Sequence, residues 1–147
     1  MRVRRLVPGD ELAVLHAGHL FEENPELAAV RTFLGDDRNT LLFAFEGSDA
    51  IGFLRGTALL QLTTRRKQMF LYEIAVDESF RRKGVGTALI KFLLQDCREN
   101  GFEEAFVLTD PANVAAVELY RSTGALTETA ADRMFVYPLH SGLEPPV

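Results

Sequence analysis

A strand-like run at residues 70–76 leads through an acidic turn, Asp77 and Glu78, into the basic loop Arg81-Arg82-Lys83-Gly84-Val85-Gly86-Thr87. A helix-like run begins at Val85. A second apolar strand follows that helix, so the two strands are expected to lie parallel with the helix as their crossover. The same succession creates an anion site. First-turn N–H groups of a helix lack internal partners and carry the positive end of its dipole, and glycine leaves the backbone open to a ligand. The loop is therefore expected to hold a phosphate group.

Two familiar phosphate loops do not fit. A Walker loop needs Lys and then Ser or Thr directly after its second glycine, whereas Thr87 and Ala88 follow Gly86. A dinucleotide fingerprint using Gly84 and Gly86 would need Gly or Ala where Leu89 stands.

The loop does match R-x-x-G-x-G, with Arg81, Gly84 and Gly86 in place. In this it resembles the acetyl-CoA loop of the GNAT N-acetyltransferase superfamily. Residues 113–124 also follow that family's N-x-x-A-x-x-x-Y-x-x-x-G helix, through Asn113, Ala116, Tyr120 and Gly124. The resemblance is firmest over residues 70–124 and extends to an opening strand and turn near residues 3–10. Segments 72–76 and 107–120 are similar to the aminoglycoside 3-N-acetyltransferase branch, although that branch tends to carry Asp where Glu73 stands and a more acidic loop at residues 111–113.

The resemblance implies a GNAT-like mixed sheet of the α/β (α+β) class. An antiparallel N-terminal meander would lead into a central parallel strand pair with flanking helices. It implies that the parallel strands part around a bulge, with pantetheine running along backbone near Ile74, Ala75 and Val76, which also polarises the thioester carbonyl. Arg81, Arg82 and Lys83 stand where cations meet pyrophosphate or a ribose phosphate, beside the backbone of Gly84, Val85, Gly86 and Thr87. Asn113 matches the asparagine that touches or orders the pantetheine region, and a helix cap is compatible with that. Tyr120 matches the tyrosine that protonates the leaving thiolate; the competing reading is a buried tyrosine whose hydroxyl needs a partner.

Transfer to an amine needs a base or a water chain to remove a proton. Glu73 is one candidate, because a charge at that depth in a strand is costly without a partner or a task; the competing reading is an outward-facing strand residue, since alternation puts Glu73 and Ala75 on one face and Ile74 and Val76 on the other. Asp110 is the other, at the end of the next strand, although Asp110-Pro111 also reads as a helix start. The function implied is acetyl-CoA-dependent N-acetyl transfer to a primary amine, with CoA as product. A non-catalytic acyl-CoA-binding sensor or interaction module is the alternative. The resemblance implies that the first two helices and their loop wall the amine site; here that segment carries Asp10, Glu11, Glu22, Glu23, Glu26, Asp36 and Asp37, which would attract a cationic acceptor such as an aminoglycoside, a polyamine or a basic peptide, the competing reading being ordinary solvated helix faces.

Length, at 147 residues, fits a single domain spanning the chain, with residues 138–147 as a short tail. A net charge of −5 and the absence of a basic stripe with aromatics argue against nucleic acid, so Arg65, Arg66 and Lys67 read as a solvated turn. Apolar runs are too short to span a bilayer, and the basic start leads into Pro8-Gly9-Asp10, so a cytoplasmic location is expected. The lone Cys97 suits a reducing compartment and reads as a core residue with Val85, Leu89, Phe92 and Leu93. His16 and His19 have a spacing that can serve a metal, but no third ligand is signalled, so no metal is expected. A homodimer is common in the family.

Coarse elements follow from periodicity and caps. Strands are expected at residues 3–7, 41–46, 51–62, 68–76, 104–108 and near 134–137. A first helix would begin at Asp10 with Leu12, Leu15, His16, His19 and Leu20 on one face, and a second would be capped by Asn24 with Pro25 at its first position and end at Gly35. A third would run from Val85 to about Asn100 and stop at Gly101, and a fourth would end before Gly124.

Overall fold

The computed structural model describes residues 1–127 and 135–139. Its strands are β1 (Arg2–Arg5), β2 (Asn39–Glu46), β3 (Asp49–Leu60), β4 (Lys67–Val76) and β5 (Phe102–Val107). Its helices are α1 (Glu11–His16), α2 (Leu27–Leu34), α3 (Val85–Glu99) and α4 (Val114–Ser122). The strands form one mixed sheet in the order β1-β2-β3-β4-β5. The first four pair antiparallel, and β4 pairs parallel with β5 across the α3 crossover, as expected.

Helices cover both faces of the sheet, which is why β2 reads as a nearly unbroken apolar run. On one face Leu41, Phe43, Phe45, Ala50 and Phe53 pack with Leu6, Val14, Ala17, Val30 and Leu34 of the α1–α2 side. On the other, Leu42, Ala44, Ile51, Leu54, Met69 and Leu71 pack with Val85, Leu89, Ile90, Leu93 and Cys97 of α3. Burial, with Asp96 adjacent, pushes the Cys97 thiol up to about 11, so it stays a neutral core group. Ile90 takes the core position expected for Phe92, which is exposed.

The sheet carries an extra residue that decides where the functional side chains point. β3 and β4 pair from Gly52↔Val76 to Arg55↔Glu73 and resume at Gly56↔Leu71, which leaves Tyr72 as a bulge. Met69, Leu71, Ile74 and Val76 therefore share the α3 face although Ile74 stands three positions after Leu71. Gly56 sits opposite the bulge, where a Cβ would fall 2.8 Å from Met69 Sδ and 2.9 Å from the Phe70 carbonyl oxygen.

Several local expectations shift. α1 has six residues, and it buries Val14 while Leu12 is exposed. Asp10 does not cap it; its carboxylate accepts from Val7 N–H at 2.8 Å and from Arg4 Nη1 at 2.9 Å. Burial alone would raise that carboxyl, but these donors hold it below its ordinary value. α2 starts at Leu27 with Glu26 as its cap residue, so Asn24 and Pro25 precede the helix. Gly101 (φ +76°) and Gly124 (φ +100°) stop α3 and α4 in the left-handed conformation, as expected. Phe135, Val136 and Tyr137 form no strand; Met134, His140 and most of the expected tail lie outside the described residues. Among the described residues no helix is long and apolar enough to cross a membrane.

Leu89 is fully buried at the centre of the α3 face, so Leu89→Ala is expected to cost about 2–5 kcal/mol in urea unfolding. Leu12→Ala, on the exposed side of α1, is expected to change stability by less than about 0.5 kcal/mol. Equal losses at the two positions would contradict this assignment of the core.

Candidate active site

Pairing between β4 and β5 ends at Leu71↔Val107, and β4 runs on to Val76 with that edge open. Asp77 N–H donates to the Ile51 carbonyl at 2.8 Å, which fixes the alternation along this stretch. Ala75 and Glu73 therefore turn their backbone groups to β3, and Ile74 and Val76 turn theirs to the opening. The Val76 carbonyl accepts from Arg81 Nε at 3.3 Å. The Ile74 amide groups and the Val76 N–H thus offer a strand-like edge, the surface that an amide-bearing chain such as pantetheine fits.

Beyond β4, Asp77 accepts from Ser79 N–H at 2.9 Å and orders a short 3-10 turn. Arg82 then adopts φ +61°, the left-handed region that costs a non-glycine residue about 1–2 kcal/mol, and Gly84 adopts φ +83°. Such strain is typical of ligand-holding loops. Gly84 is the cap residue of α3 and offers no side-chain acceptor, and the first helical bond is Ala88 N–H to the Gly84 carbonyl. The N–H groups of Val85, Gly86 and Thr87 are left for an anion, with Arg81, Arg82 and Lys83 exposed beside them. The pyrophosphate of a CoA matches this donor set.

The two loop glycines have different tasks. A Cβ on Gly84 would meet nothing within 4 Å, so the positive φ is what selects glycine there. A Cβ on Gly86 would fall 3.0 Å from Leu119 Cδ2, so the missing side chain admits α4 against the start of α3. That contact places Tyr120, the next residue, beside the loop-bearing helix, half-buried against the α3 core. Burial raises its phenol above the ordinary value, which keeps the O–H protonated at neutral pH.

Asp110 and Asn113 are engaged locally. Asp110 Oδ1 accepts from Ala112 N–H at 2.8 Å, and Asn113 Oδ1 accepts from Ala116 N–H at 3.1 Å as the α4 cap. Both hold the start of the Tyr120 helix.

On the opposite face of the sheet lies a cleft of about 360 Å³. Phe21, Pro25, Ala29, Val30 and Phe33 give it apolar walls, and Glu22, Glu23 and Glu26 stand on the segment leading into α2. Glu73 and Arg55 also line it. Arg55 Nε donates to Glu73 Oε2 at 2.7 Å, and its guanidinium lies 4.2 Å from the centre of the Tyr72 ring. Arg55 was not among the residues expected at the site, although a lone charge inside the apolar run 50–54 to 58 signals a special position. His16 ends α1 and His19 falls in the 3-10 turn that follows, with Nε2 3.0 Å from the Ala50 carbonyl oxygen. His19 shares a second depression with Ala75, Val76 and Arg81. Among the described residues no cluster of His, Cys, Asp and Glu could hold a metal.

Comparison with known proteins bears on this arrangement. N-acetyltransferase 8 of Homo sapiens is 27% identical over 94 residues, 64% of this chain and 41% of that protein. N-acetyltransferase 8B of Rattus norvegicus is 27% identical over 94 residues, 64% of this chain and 42% of that protein. The chain thus spans about two-fifths of the length of these curated relatives. An aminoglycoside acetyltransferase from an uncultured soil metagenomic sample, solved in complex with sisomicin, superposes with a TM-score of 0.87 at 26% identity, covering 95% of this chain and 96% of that one. AAC(6')-Iy, solved with a bisubstrate CoA analogue, superposes at 0.77 with 21% identity over 95% of this chain and 98% of that one, a likeness of fold. The model of the acetyltransferase (GNAT) family matches residues 11–125. Since that match takes in the open strand edge, the glycine loop and the Tyr120 helix together, the chain belongs to the acetyltransferase (GNAT) family.

Proposed function

We propose that the chain is an acetyl-CoA-dependent N-acetyltransferase whose acceptor is a cationic primary amine. The observation that carries the reading is the juxtaposition of an open β4 edge, running into a phosphate-type loop, with a carboxylate-lined cleft on the other side of the same strand. One strand then serves donor and acceptor. The solved relative in complex with sisomicin supports the choice of a cationic amine.

When bound, acetyl-CoA supplies the activated acetyl group. The N–H groups of Val85, Gly86 and Thr87, with Arg81, Arg82 and Lys83, hold phosphate; Ile74 and Val76 hold the amide arm and donate backbone N–H to a carbonyl oxygen, a contribution worth roughly 3 kcal/mol per donor. Tyr120 keeps a proton available for a sulfur. Glu73 accepts a proton from the amine, while Glu22, Glu23 and Glu26 draw cationic acceptors toward the cleft. Asp110 and Asn113 order the Tyr120 helix and do not themselves carry protons in this reading. A thiol-release assay across a panel of amines tests the whole. Binding of acetyl-CoA with no release for any amine would favour a sensor.

Acetyl-CoA at about a hundred times its Kd should add roughly 2.7 kcal/mol of stability, read as a rise in Tm. Gly84→Val should abolish that rise, measured against the variant's own ligand-free melt; a larger rise with ATP or NAD would contradict the assignment.

Tyr120→Phe should lower kcat about a hundredfold with acetyl-CoA affinity nearly unchanged. An unaltered kcat would reduce Tyr120 to a packing residue.

The acceptor's charge can be tested by salt. For polyamines and aminoglycosides kcat/KM should fall with ionic strength, because screening acts over about 8 Å at physiological salt. Joint replacement of Glu22, Glu23 and Glu26 by Gln should flatten that dependence and leave acetyl-CoA binding intact. Preference for a neutral amine, without response to salt, would make those carboxylates an ordinary solvated face.

A further inference from the structure

We propose that Arg55 is a positioning residue for the acceptor, holding the Glu73 carboxylate by one oxygen so that the other is presented to the amine; this rests on the acetyltransferase reading above. Arg55 Nε donates to Glu73 Oε2 at 2.7 Å, and among the described residues Glu73 Oε1 has no hydrogen-bond partner. Both residues line the cleft, where among the described residues Arg55 is the only basic side chain beside Glu22, Glu23, Glu26 and Glu73.

Three features set this pair apart from a chance cross-strand contact. Glu73 and Arg55 are direct partners in the β3–β4 register, so their backbones are already fixed opposite one another. The bulge at Tyr72 brings the ring of the preceding residue onto the same side as Glu73, and the guanidinium lies over it at 4.2 Å from its centre. A planar cation held on an aromatic face keeps its Nε–H aimed in one direction, which a lysine cannot reproduce. Both side chains are about 38% exposed, and an ion pair this open contributes little to stability. Stability does not account for its construction in the lining of a cleft.

The pair also answers a problem of charge. A carboxylate left free to rotate near a cationic acceptor can bind it in several ways, most of them away from the acetyl donor. With Oε2 engaged by Arg55, Oε1 is the oxygen left without a partner among the described residues, so the incoming nitrogen is directed to that side of the carboxylate.

A double-mutant cycle tests this, with acetyl-CoA as donor and the best acceptor of the amine panel. Arg55→Met should lower kcat at least tenfold with the KM for acetyl-CoA unchanged. In a Glu73→Gln background the same substitution should change kcat less than twofold, because nothing remains to be oriented. Arg55→Lys should restore only part of the loss, with a Tm close to that of the original protein. If Arg55→Met does not fold, Arg55→Lys carries the same cycle. Equal losses in both backgrounds would overturn the positioning role and leave Glu73 as base. Full activity of Glu73→Gln, or no transfer to any amine by the original protein, would overturn the role of Glu73 and this inference together.

Discussion

A β-strand has two hydrogen-bonding edges, and in β4 one is paired with β3 along most of its length while the other is paired only as far as Leu71. The open edge proposed to take the acetyl donor depends on that inequality. Backbone amides cannot be left facing an apolar interior, because an unmet N–H or C=O costs about 1–3 kcal/mol. Residues 72–76 are open enough to be met by solvent or by a ligand of matching shape. The bulge at Tyr72 falls where pairing with β5 ends, so a single irregularity accompanies the open edge and resets the side-chain alternation that sends Glu73 to the cleft.

Everything downstream is held by packing that admits little substitution. Gly52 lets Val85 approach β3, since a Cβ there would fall 3.0 Å from Val85 Cγ1, and Gly86 lets Leu119 approach α3. The N-terminus of α3 is thereby fixed between the sheet and α4. Its orphan amides point from a rigid frame, which matters because a phosphate site that must first order itself loses that much affinity. Tyr120 inherits its position from the same contact.

How much of this was legible follows from where each cause lies. The loop and the start of α3 are legible because their signals are local: glycines at fixed spacing, a left-handed stop at Gly101, and a basic triplet before the helix. The buried face of α1 differs from the expected one for a physical reason. Six residues make less than two turns, too short for periodicity to choose between Leu12 and Val14, and the sheet beneath chose Val14. Likewise, Asp10 has the composition of a helix cap, yet Arg4 and the Val7 N–H compete for its carboxylate and win. Residues 135–137 have a strand's composition, yet among the described residues nothing pairs with them, and pairing is a property of two segments.

The Arg55–Glu73 pair marks the limit of such reading. Alternation correctly separates Glu73 and Ala75 from Ile74 and Val76, but it places Tyr72 with the wrong set, because an extra residue inside a strand leaves no mark in composition. Once the register is known, chemistry that looks like three unrelated residues becomes one unit: a ring beneath a guanidinium that grips a carboxylate. The acceptor cleft is thus assembled by sheet register, while the donor loop is assembled by sequence-local turns. That difference explains why a phosphate-type loop can be read from a few consecutive residues while the cleft stays hidden: the residues that line it come from the α1–α2 segment, β3 and β4, and meet only in the folded protein.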